Sequence, residues 1–444
     1  MSAPPGRTTP AVGGERSLPM PDPIARDYIV LCLRIDQHVP GFVDAYFGPA
    51  DLKAKVELEP VRSATRLRDD VLALRERVAA AEVDDSARRR WLAAQLTAIE
   101  AQVRALAGDP LPYADHVAAC FDARMTRRPD AAYAAAADSL AGLVPGTGPL
   151  AARLAAWDAR FVIPPARLSA VIERLVAVAR ERAAADFGLP DGEGLRVGLV
   201  TDQPWSGYNW YDGGLQSRVD INTDLPITVK RLLDTLCHET YPGHHLEHAW
   251  KEADLVAARG RVEASVLTIN TPECFISEGL AELGRRFASP PEAEPDLLVE
   301  LYALAGLPLA DDPAAARDAA ERTVAMAGAR VTLEAAAADA ALLRHAEGRT
   351  HDEVLAYLCD VGLMAPERAA KLLEFIEHPL WRTYVFVYSA GEELLSRWLE
   401  AVAPAERAAR FGRLLHEQLT PGAIADELAE LAERESRTPP APPA

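Results

Sequence analysis

The chain has 444 residues and is 49% hydrophobic, so it can bury a large core as two or three domains or as one large helical body. Its 66 acidic residues outnumber its 47 basic residues and give a formal net charge of −19. This charge disfavours binding to nucleic acid or to an anionic membrane surface. The five cysteines contain no CxxC pair, which predicts free thiols in a reducing compartment.

From the N-terminus, residues 1–22 lack an apolar signal segment and predict a disordered tail. No later stretch is apolar over the length of a membrane span, so we expect a cytoplasmic protein. Apolar residues recur three and four positions apart in four stretches that predict helices: 64–82, 86–107, 165–187 and 313–347. The pattern predicts a mainly α fold with an N-terminal helical region at 23–190, a catalytic region at 191–435 and a disordered tail at 436–444.

A short β region interrupts the helical pattern directly before a histidine-rich segment. Residues 195–202 predict a strand, and residues 208–223 predict a hairpin that turns at an Asp-Gly-Gly sequence. The pattern predicts a small antiparallel sheet whose strand 217–223 is an edge strand covered on one face. Two interpretations remain open: this edge and Asn222 hold an extended substrate, or the sheet only braces the fold.

The segment HETYPGHH crowds histidines around a Pro-Gly pair. In an HExxH helix, two histidines on one face bind Zn²⁺, and the glutamate beside the first serves as general base. Removing Pro242-Gly243 restores this motif, with His238 and His244 as the pair and Glu239 as the base. Because proline breaks helical hydrogen bonding, we expect a kink that turns the following imidazoles towards His238. We favour His244 as the ligand over His245, which is then directed to the surroundings of the metal or to the substrate.

A third ligand is predicted in the segment TPECFISEGLAELGRRF. Glu278 lies on a predicted helix that begins near Pro272, and a carboxylate from a following helix completes a His₂Glu zinc site. Glu282 lies one turn later on the same face. There it is positioned to hold the free N–H of a histidine ligand.

Four short motifs together resemble those of a known family: HETYPGHH, EGLA, the preceding DINT and the late YSAG. Between about Tyr28 and Leu395 the chain resembles a large bacterial family that is defined by HExxPGHH and grouped with zincin-like metallopeptidases. The resemblance implies a mainly helical, metallopeptidase-like fold and a site of five residues: His238, Glu239, His244, His245 and Glu278. The chain departs from the family pattern at Leu280, where tryptophan is usual, and this bears on substrate preference.

The late segment HPLWRTYVFVYSAG supplies further candidates. Tyr388 matches the tyrosine of the family motif and is predicted to donate to the oxyanion that forms during hydrolysis. Tyr384, one turn earlier, is the alternate donor and a candidate substrate-binding residue; both tyrosines are otherwise core aromatics. Arg382 is predicted either to bind a substrate carboxylate or to pair with Glu377.

The acidic and imidazole groups around the motif have simpler predicted roles. His248 is a competing ligand by spacing, although we expect it at the surface. Glu247 is predicted to be a solvated helix residue. Glu273 is predicted to be a helix N-terminal acid, where the helix dipole favours a negative charge.

These residues predict a metal-dependent hydrolase, most simply a zinc peptidase or amidase that cleaves small peptides or amide-bearing metabolites. The expected cofactor is Zn²⁺ or another divalent ion, and the expected partner is a small peptide or small molecule. Two alternatives remain open: a non-hydrolytic metalloenzyme that acts on a small molecule, and a metal-stabilised binding protein without catalysis.

Overall fold

The computed structural model of the protein describes residues 19–80, 83, 85–203 and 205–437, of which 435–437 are described by their backbone alone. The predicted disordered tails therefore lie mostly outside the described residues. Residues 436–437, which the sequence assigns to the second tail, belong instead to the last helix.

Helices make up most of the described chain, which confirms the mainly α fold. Up to residue 190 they are α1 (Pro23–Asp36), α2 (Ala50–Leu58), α3 (Ala64–Ala79), α4 (Ser86–Leu106), α5 (Tyr113–Phe121), α6 (Asp130–Leu143), α7 (Leu150–Ala159) and α8 (Leu168–Phe187). Short 3₁₀ turns lie at Pro165–Arg167, Val262–Ser265, Pro308–Asp311 and Pro404–Glu406. In the described part of the chain, every helix is too short or too polar to cross a membrane.

After residue 190 the helices are α9 (Val229–Glu239), α10 (His244–Trp250), α11 (Pro272–Ala288), α12 (Glu294–Leu304), α13 (Pro313–Glu334), α14 (Ala336–His345), α15 (His351–Asp360), α16 (Pro366–Glu377), α17 (Phe386–Glu400), α18 (Arg407–His416) and α19 (Pro421–Arg437). A π-helical stretch, Lys251–Ala258, continues α10. The single helix predicted over 313–347 is divided at Ala335 into α13 and α14.

Threonine caps set the starts of the two helices that carry the candidate site. At α9, the Thr228 hydroxyl accepts a hydrogen bond from the Arg231 amide at 3.3 Å. At α11, the Thr271 hydroxyl accepts from the Cys274 amide at 3.4 Å, and Pro272 occupies the first helical position. Threonine at the cap and proline at the first position satisfy or remove unpaired amides, and α11 begins at its predicted start, Pro272.

The β region forms a three-stranded sheet of β2 (Gly194–Val200), β3 (Gly207–Gly213) and β4 (Gln216–Asn222) in the order β2-β4-β3. β3 and β4 form the predicted antiparallel hairpin, but β2 runs parallel to β4. The prediction that 217–223 is an edge strand is wrong, because β4 is hydrogen-bonded on both sides. A second, antiparallel sheet pairs β1 (Val43–Tyr46) with β5 (Val266–Thr268).

The largest hydrophobic core joins helices from both predicted regions. It includes Leu175 of α8, Leu236 of α9, Leu280 of α11 and Trp398 of α17, none of them more than 2% exposed. Helices on both sides of residue 190 thus bury apolar surface against one another, and the division of the chain into domains remains a prediction.

Candidate metal centre

The histidine-rich segment forms two helices that meet at a sharp break. α9 ends at Glu239, and α10 begins at His244. Between them, Gly243 lies directly against the end of α9, where a Cβ on this residue would be 1.9 Å from the carbonyl oxygen of His238. Glycine therefore permits this close approach, and the chain turns back so that His244 faces His238.

The break brings the imidazoles of His238 and His244 together, with ring centroids 4.7 Å apart and ring planes at 89°. Both rings present Nε2 to the carboxylate of Glu278 on α11. His238 Nε2 is 3.4 Å from Glu278 Oε2, and His244 Nε2 is 3.4 Å from Glu278 Oε1. The three residues form a His₂Glu cluster whose ligand atoms all lie within 4.8 Å of one another.

The spacing of the His₂Glu cluster fits a divalent metal ion. Ligand atoms bound to a tetrahedral Zn²⁺ at about 2.0–2.1 Å lie roughly 3.3 Å apart, close to the 3.4 Å N···O distances of the cluster. Glu278 Oε2 is also buried and accepts no hydrogen bond from any described residue. A buried carboxylate oxygen without a donor is costly unless a cation satisfies it. The donor set and the geometry therefore both suit a metal.

The His₂Glu cluster also concentrates charge in a buried place. Burial by itself lowers the pKa of both histidines, but the Glu278 carboxylate outweighs it. The pKa of His238 is raised well above its usual value, and that of His244 is raised to about 10. Burial raises the pKa of Glu278, yet His244 and His238 together hold it far below its usual value. The site thus attracts positive charge, whether as protons or as a metal ion.

Glu239 lies beside the His₂Glu cluster. Its side chain is 8% exposed, and a Cβ on Gly207 of β3 would be 3.3 Å from its Oε1 atom. Burial raises the pKa of the Glu239 carboxyl, and the neighbouring histidines His238 and His244 oppose part of that rise. A carboxyl group with a raised pKa next to such a cluster has the properties of a general base.

Two further side chains contact residues of the His₂Glu cluster. Glu282 Oε1 lies 3.4 Å from Nδ1 of His238, the position predicted for a group that binds the free N–H of a histidine. The Tyr384 hydroxyl donates to Glu278 Oε1 at 2.6 Å. In this structure Tyr384 therefore supports Glu278, whereas the sequence predicts a contact with substrate.

Tyr388 lies on the solvent side of the cluster. Its side chain is 39% exposed. Its ring centroid is 6.4 Å from that of His238 and 5.6 Å from that of Tyr384. The His₂Glu cluster itself is mostly covered, because the side chains of His238, His244 and Glu278 are 14%, 12% and 10% exposed.

His245 is not part of the cluster, which corrects its inclusion among the predicted metal-binding residues. Its Nδ1 atom is 2.8 Å from the hydroxyl of Ser217 in β4, and its Nε2 atom is 2.9 Å from the carboxylate of Glu193. Adjacent helical side chains diverge by about 100°. Because His244 faces Glu278, His245 necessarily points towards the sheet.

Asn222 makes contacts that brace a loop, which corrects its assignment to substrate. Its amide donates to the carbonyl oxygens of Gln203 and Trp205 at 2.9 and 3.0 Å. Its side-chain oxygen accepts from the Asp224 amide at 3.1 Å. Because β4 is a central strand, Asn222 also has no open strand edge beside it.

Arg382 does not pair with Glu377, and its contact with a substrate carboxylate remains a prediction. Its guanidinium lies over the ring of Tyr113 at 6.0 Å, and its backbone oxygen accepts the Tyr113 hydroxyl at 2.6 Å. The described contacts of Arg382 include none with the His₂Glu cluster. Glu377, the predicted ion-pair partner, instead accepts from Arg344 at 2.6 Å.

Two residues after the motif are buried, contrary to prediction. Glu247 is 0% exposed and His248 is 7% exposed. Together with His244 they form a second group with metal-ligand spacing. However, the Lys251 ammonium lies 2.6 Å from Glu247 and opposes a cation there. Their spacing of three and four residues from His244 is the sequence signal for a shared helix face.

Comparison with known proteins yields only weak similarities. No family model matches the chain, and no curated protein matches it. Among solved structures, a candidate lipoprotein from Colwellia psychrerythraea has 14% identity and a TM-score of 0.47, with 84% of this chain and 68% of that chain covered. A candidate lipoprotein of unknown function from Shewanella oneidensis has 13% identity and a TM-score of 0.47, with 86% and 79% covered.

A third solved structure, the M32 carboxypeptidase from Deinococcus radiodurans R1, has 16% identity and a TM-score of 0.45, with 92% of this chain and 93% of that chain covered. Similarity at this level assigns neither a family nor a function. The fold and the site define a mainly α protein with a His₂Glu cluster that could hold a metal ion.

Proposed function

We propose that the protein is a metal-dependent hydrolase, specifically a zinc peptidase or amidase that acts on small peptides or amide-bearing metabolites. The observation that carries the proposal is the convergence of His238 Nε2 and His244 Nε2 on the Glu278 carboxylate, each at 3.4 Å, with Glu239 beside them. In this proposal His238, His244 and Glu278 hold Zn²⁺ or another divalent ion.

The chemistry follows from the positions of the cluster and of Glu239. A bound divalent ion supplies Lewis-acid polarisation of the scissile carbonyl and lowers the pKa of water at the site. Glu239 takes a proton from the attacking water and delivers it to the leaving amine. Burial raises the pKa of Glu239, which suits a group that must both accept and release a proton.

Tyr388 is the proposed donor to the oxyanion that develops when the carbonyl becomes tetrahedral. Its ring lies near His238 on the solvent side of the cluster, where a substrate approaches. Tyr384 has a different task, because its hydroxyl donates to Glu278. We therefore assign Tyr388 to substrate and Tyr384 to the support of a ligand.

An extended substrate finds its hydrogen-bonding edge on β3. This strand is terminal in the sheet order β2-β4-β3. It begins at Gly207, which lies against Glu239. β3 also contacts β1 and α10. We propose that β3, and not 217–223, is the strand beside which an extended substrate lies.

The alternative of a metal-stabilised protein without catalysis is less well supported. Structural zinc sites are usually closed by four protein ligands. The cluster found among the described residues offers three, His238, His244 and Glu278. A buried carboxylate at Glu239, next to a ligand, has a use in hydrolysis and none in a closed structural site.

Metal analysis combined with a hydrolysis assay tests the proposal. Purified protein supplied with Zn²⁺ should retain about one ion per chain. The loaded protein should cleave members of a library of short peptides, and removal of the metal by a chelator should abolish cleavage. Metal binding without cleavage of peptides or amides would favour the non-hydrolytic alternative. Failure to retain Zn²⁺ would contradict the proposal.

A further inference from the structure

A chain of polar side chains leads away from the outer nitrogen of His244. The Ser277 hydroxyl oxygen is 3.3 Å from His244 Nδ1, and the same hydroxyl donates to Glu247 Oε2. Lys251 donates to the other oxygen of that carboxylate, Oε1, at 2.6 Å. Glu247 is 0% exposed and Lys251 is 4% exposed. Nothing in the sequence pattern singled out Ser277 or Lys251.

The donors and acceptors in this series of side chains, from His244 through Ser277 and Glu247 to Lys251, fit one arrangement of protons. Lysine ammonium is a donor only, so Lys251 binds the Glu247 carboxylate as an acceptor. The Ser277 hydroxyl gives its own proton to the second oxygen of Glu247. The Ser277 oxygen then accepts the Nδ1–H of His244. With Nδ1 protonated, neutral His244 carries its lone pair on Nε2, which faces Glu278.

The serine hydroxyl is required because the carboxylate is too far from His244 to bind it directly. The distance from His244 Nδ1 to Glu247 Oε2 is 3.7 Å, beyond the usual hydrogen-bond range. The other histidine of the cluster differs, because Glu282 lies 3.4 Å from His238 Nδ1 without an intervening group. The two candidate ligands are therefore oriented by different means.

Lys251 also ties the two helices of the site together. Besides Glu247, it donates to Glu273 Oε1 at 3.2 Å. Glu273 lies in the first turn of α11, the helix that also carries Ser277 and Glu278. The ammonium therefore lies between two buried carboxylates and offsets part of the repulsion between them.

We infer that Ser277 is a positioning residue of the metal centre, which together with Glu247 and Lys251 holds the Nε2 lone pair of His244 towards the metal. This inference rests on the proposed function, because it assumes that His244 is a ligand. It adds to that function the residues that fix the tautomer and the direction of one imidazole.

The test uses cobalt as a spectroscopic probe in the full-length protein. Ser277→Ala removes one oxygen atom, and Ser277→Thr keeps a hydroxyl. Glu247→Gln replaces one carboxylate oxygen by an amide N–H₂ group, so either Ser277 or Lys251 loses its acceptor. Glu252→Gln is the matched control, because Glu252 is a buried carboxylate in the π-helical stretch after α10 and its described hydrogen bonds come from Tyr211, Gly214 and Leu215.

We expect Ser277→Ala and Glu247→Gln to bind Co²⁺ about 10–100-fold more weakly than wild type and to change its visible absorption spectrum. Ser277→Thr and Glu252→Gln should retain wild-type affinity and spectrum. Circular dichroism and thermal unfolding verify that each variant is folded, and Ser277→Ala should fold because it deletes only a half-buried oxygen.

The outcomes separate this inference from the proposed function. If wild type binds cobalt and Ser277→Ala binds it with equal affinity and an unchanged spectrum, Ser277 has no positioning role. Equal losses in Ser277→Ala and Ser277→Thr would also overturn the inference, since the hydroxyl would then be irrelevant. If wild type itself binds no metal, the proposed function fails and this inference fails with it.

Discussion

Gly279 and Gly391 pack backbone against backbone where α11 crosses α17. A Cβ on Gly279 would lie 2.7 Å from the carbonyl carbon of Gly391, and a Cβ on Gly391 would lie 2.9 Å from the Cα of Gly279. Gly279 directly follows Glu278, and Gly391 lies within one turn of Tyr388. The crossing thus brings Glu278 of α11 close to the start of α17, where Tyr384 precedes the helix and Tyr388 lies in its first turn.

Substitution at this crossing should affect both stability and metal binding. We expect Gly391→Ala to lower the free energy of unfolding by about 1–3 kcal/mol, because the added methyl group overpacks the helix contact. The added methyl group should also push α11 and α17 apart, which should lengthen the Tyr384–Glu278 hydrogen bond and weaken metal binding. Gly328→Ala on α13 is the control, since a Cβ there has no neighbour within 4 Å, and it should stabilise the helix slightly. Urea unfolding of both variants measures the difference.

The adjacent histidines of the motif should behave differently. His244→Ala removes a nitrogen that faces Glu278 and should abolish stoichiometric zinc, as should His238→Ala. His245→Ala should keep zinc but lower stability, because it breaks contacts with Ser217 and Glu193. Elemental analysis of the dialysed variants decides between them. Zinc loss confined to His245→Ala would reverse the assignment.

Glu239→Gln tests the proposed base. The amide has nearly the shape of the carboxylate but cannot accept a proton from water, so zinc content should be unchanged while kcat falls by about 10²-fold or more. Wild-type kcat in this variant would show that another group activates the water.

Substitution of Tyr384 should change metal affinity, whereas substitution of Tyr388 should change the rate of hydrolysis. Tyr384→Phe deletes the hydrogen bond to Glu278 and should weaken metal affinity. Tyr388→Phe should leave metal affinity unchanged and reduce kcat, because its hydroxyl is assigned to the oxyanion. Metal titration and steady-state kinetics of both variants provide the measurements, and the opposite pattern would exchange the two roles.

His116 should make the folded protein less stable in acid. Burial, assisted by the charge of Arg382, lowers the pKa of His116 from 6.5 to about 4, and its Nδ1 atom is buried without a hydrogen bond from the described residues. Between pH 6.5 and about pH 4, His116 binds a proton in the unfolded chain but not in the folded chain. The titration of His116 therefore has little effect on stability above pH 6.5, and it lowers the free energy of unfolding progressively as the pH falls towards 4.

Replacement of His116 by phenylalanine should remove this dependence. Relative to His116→Phe, wild type should lose roughly 2–3 kcal/mol of unfolding free energy between pH 7.5 and pH 4.5. A constant packing offset between the two proteins cancels in this comparison. Parallel stability curves over that range would show that His116 titrates normally in the folded state.

Local sequence patterns were sufficient for the helices and for part of the site. The periodicity of apolar residues predicts the helices at 64–82, 86–107 and 165–187, because this signal acts within a few residues along the chain. The types and spacing of His238, Glu239 and Glu278 identify candidates for a metal site, since few other arrangements place a base beside a ligand.

Tertiary structure decided which groups meet. Alternation in 217–223 indicates the two faces of a strand but not its neighbours, so only the sheet order shows that β4 is central and that β2 and β3 are the edges. Similarly, Ser277 contacts His244, and Lys251 contacts Glu273, only when α10 and the stretch after it pack against α11. Hydrogen-bond partners distant in sequence depend on this packing, and no local propensity encodes it.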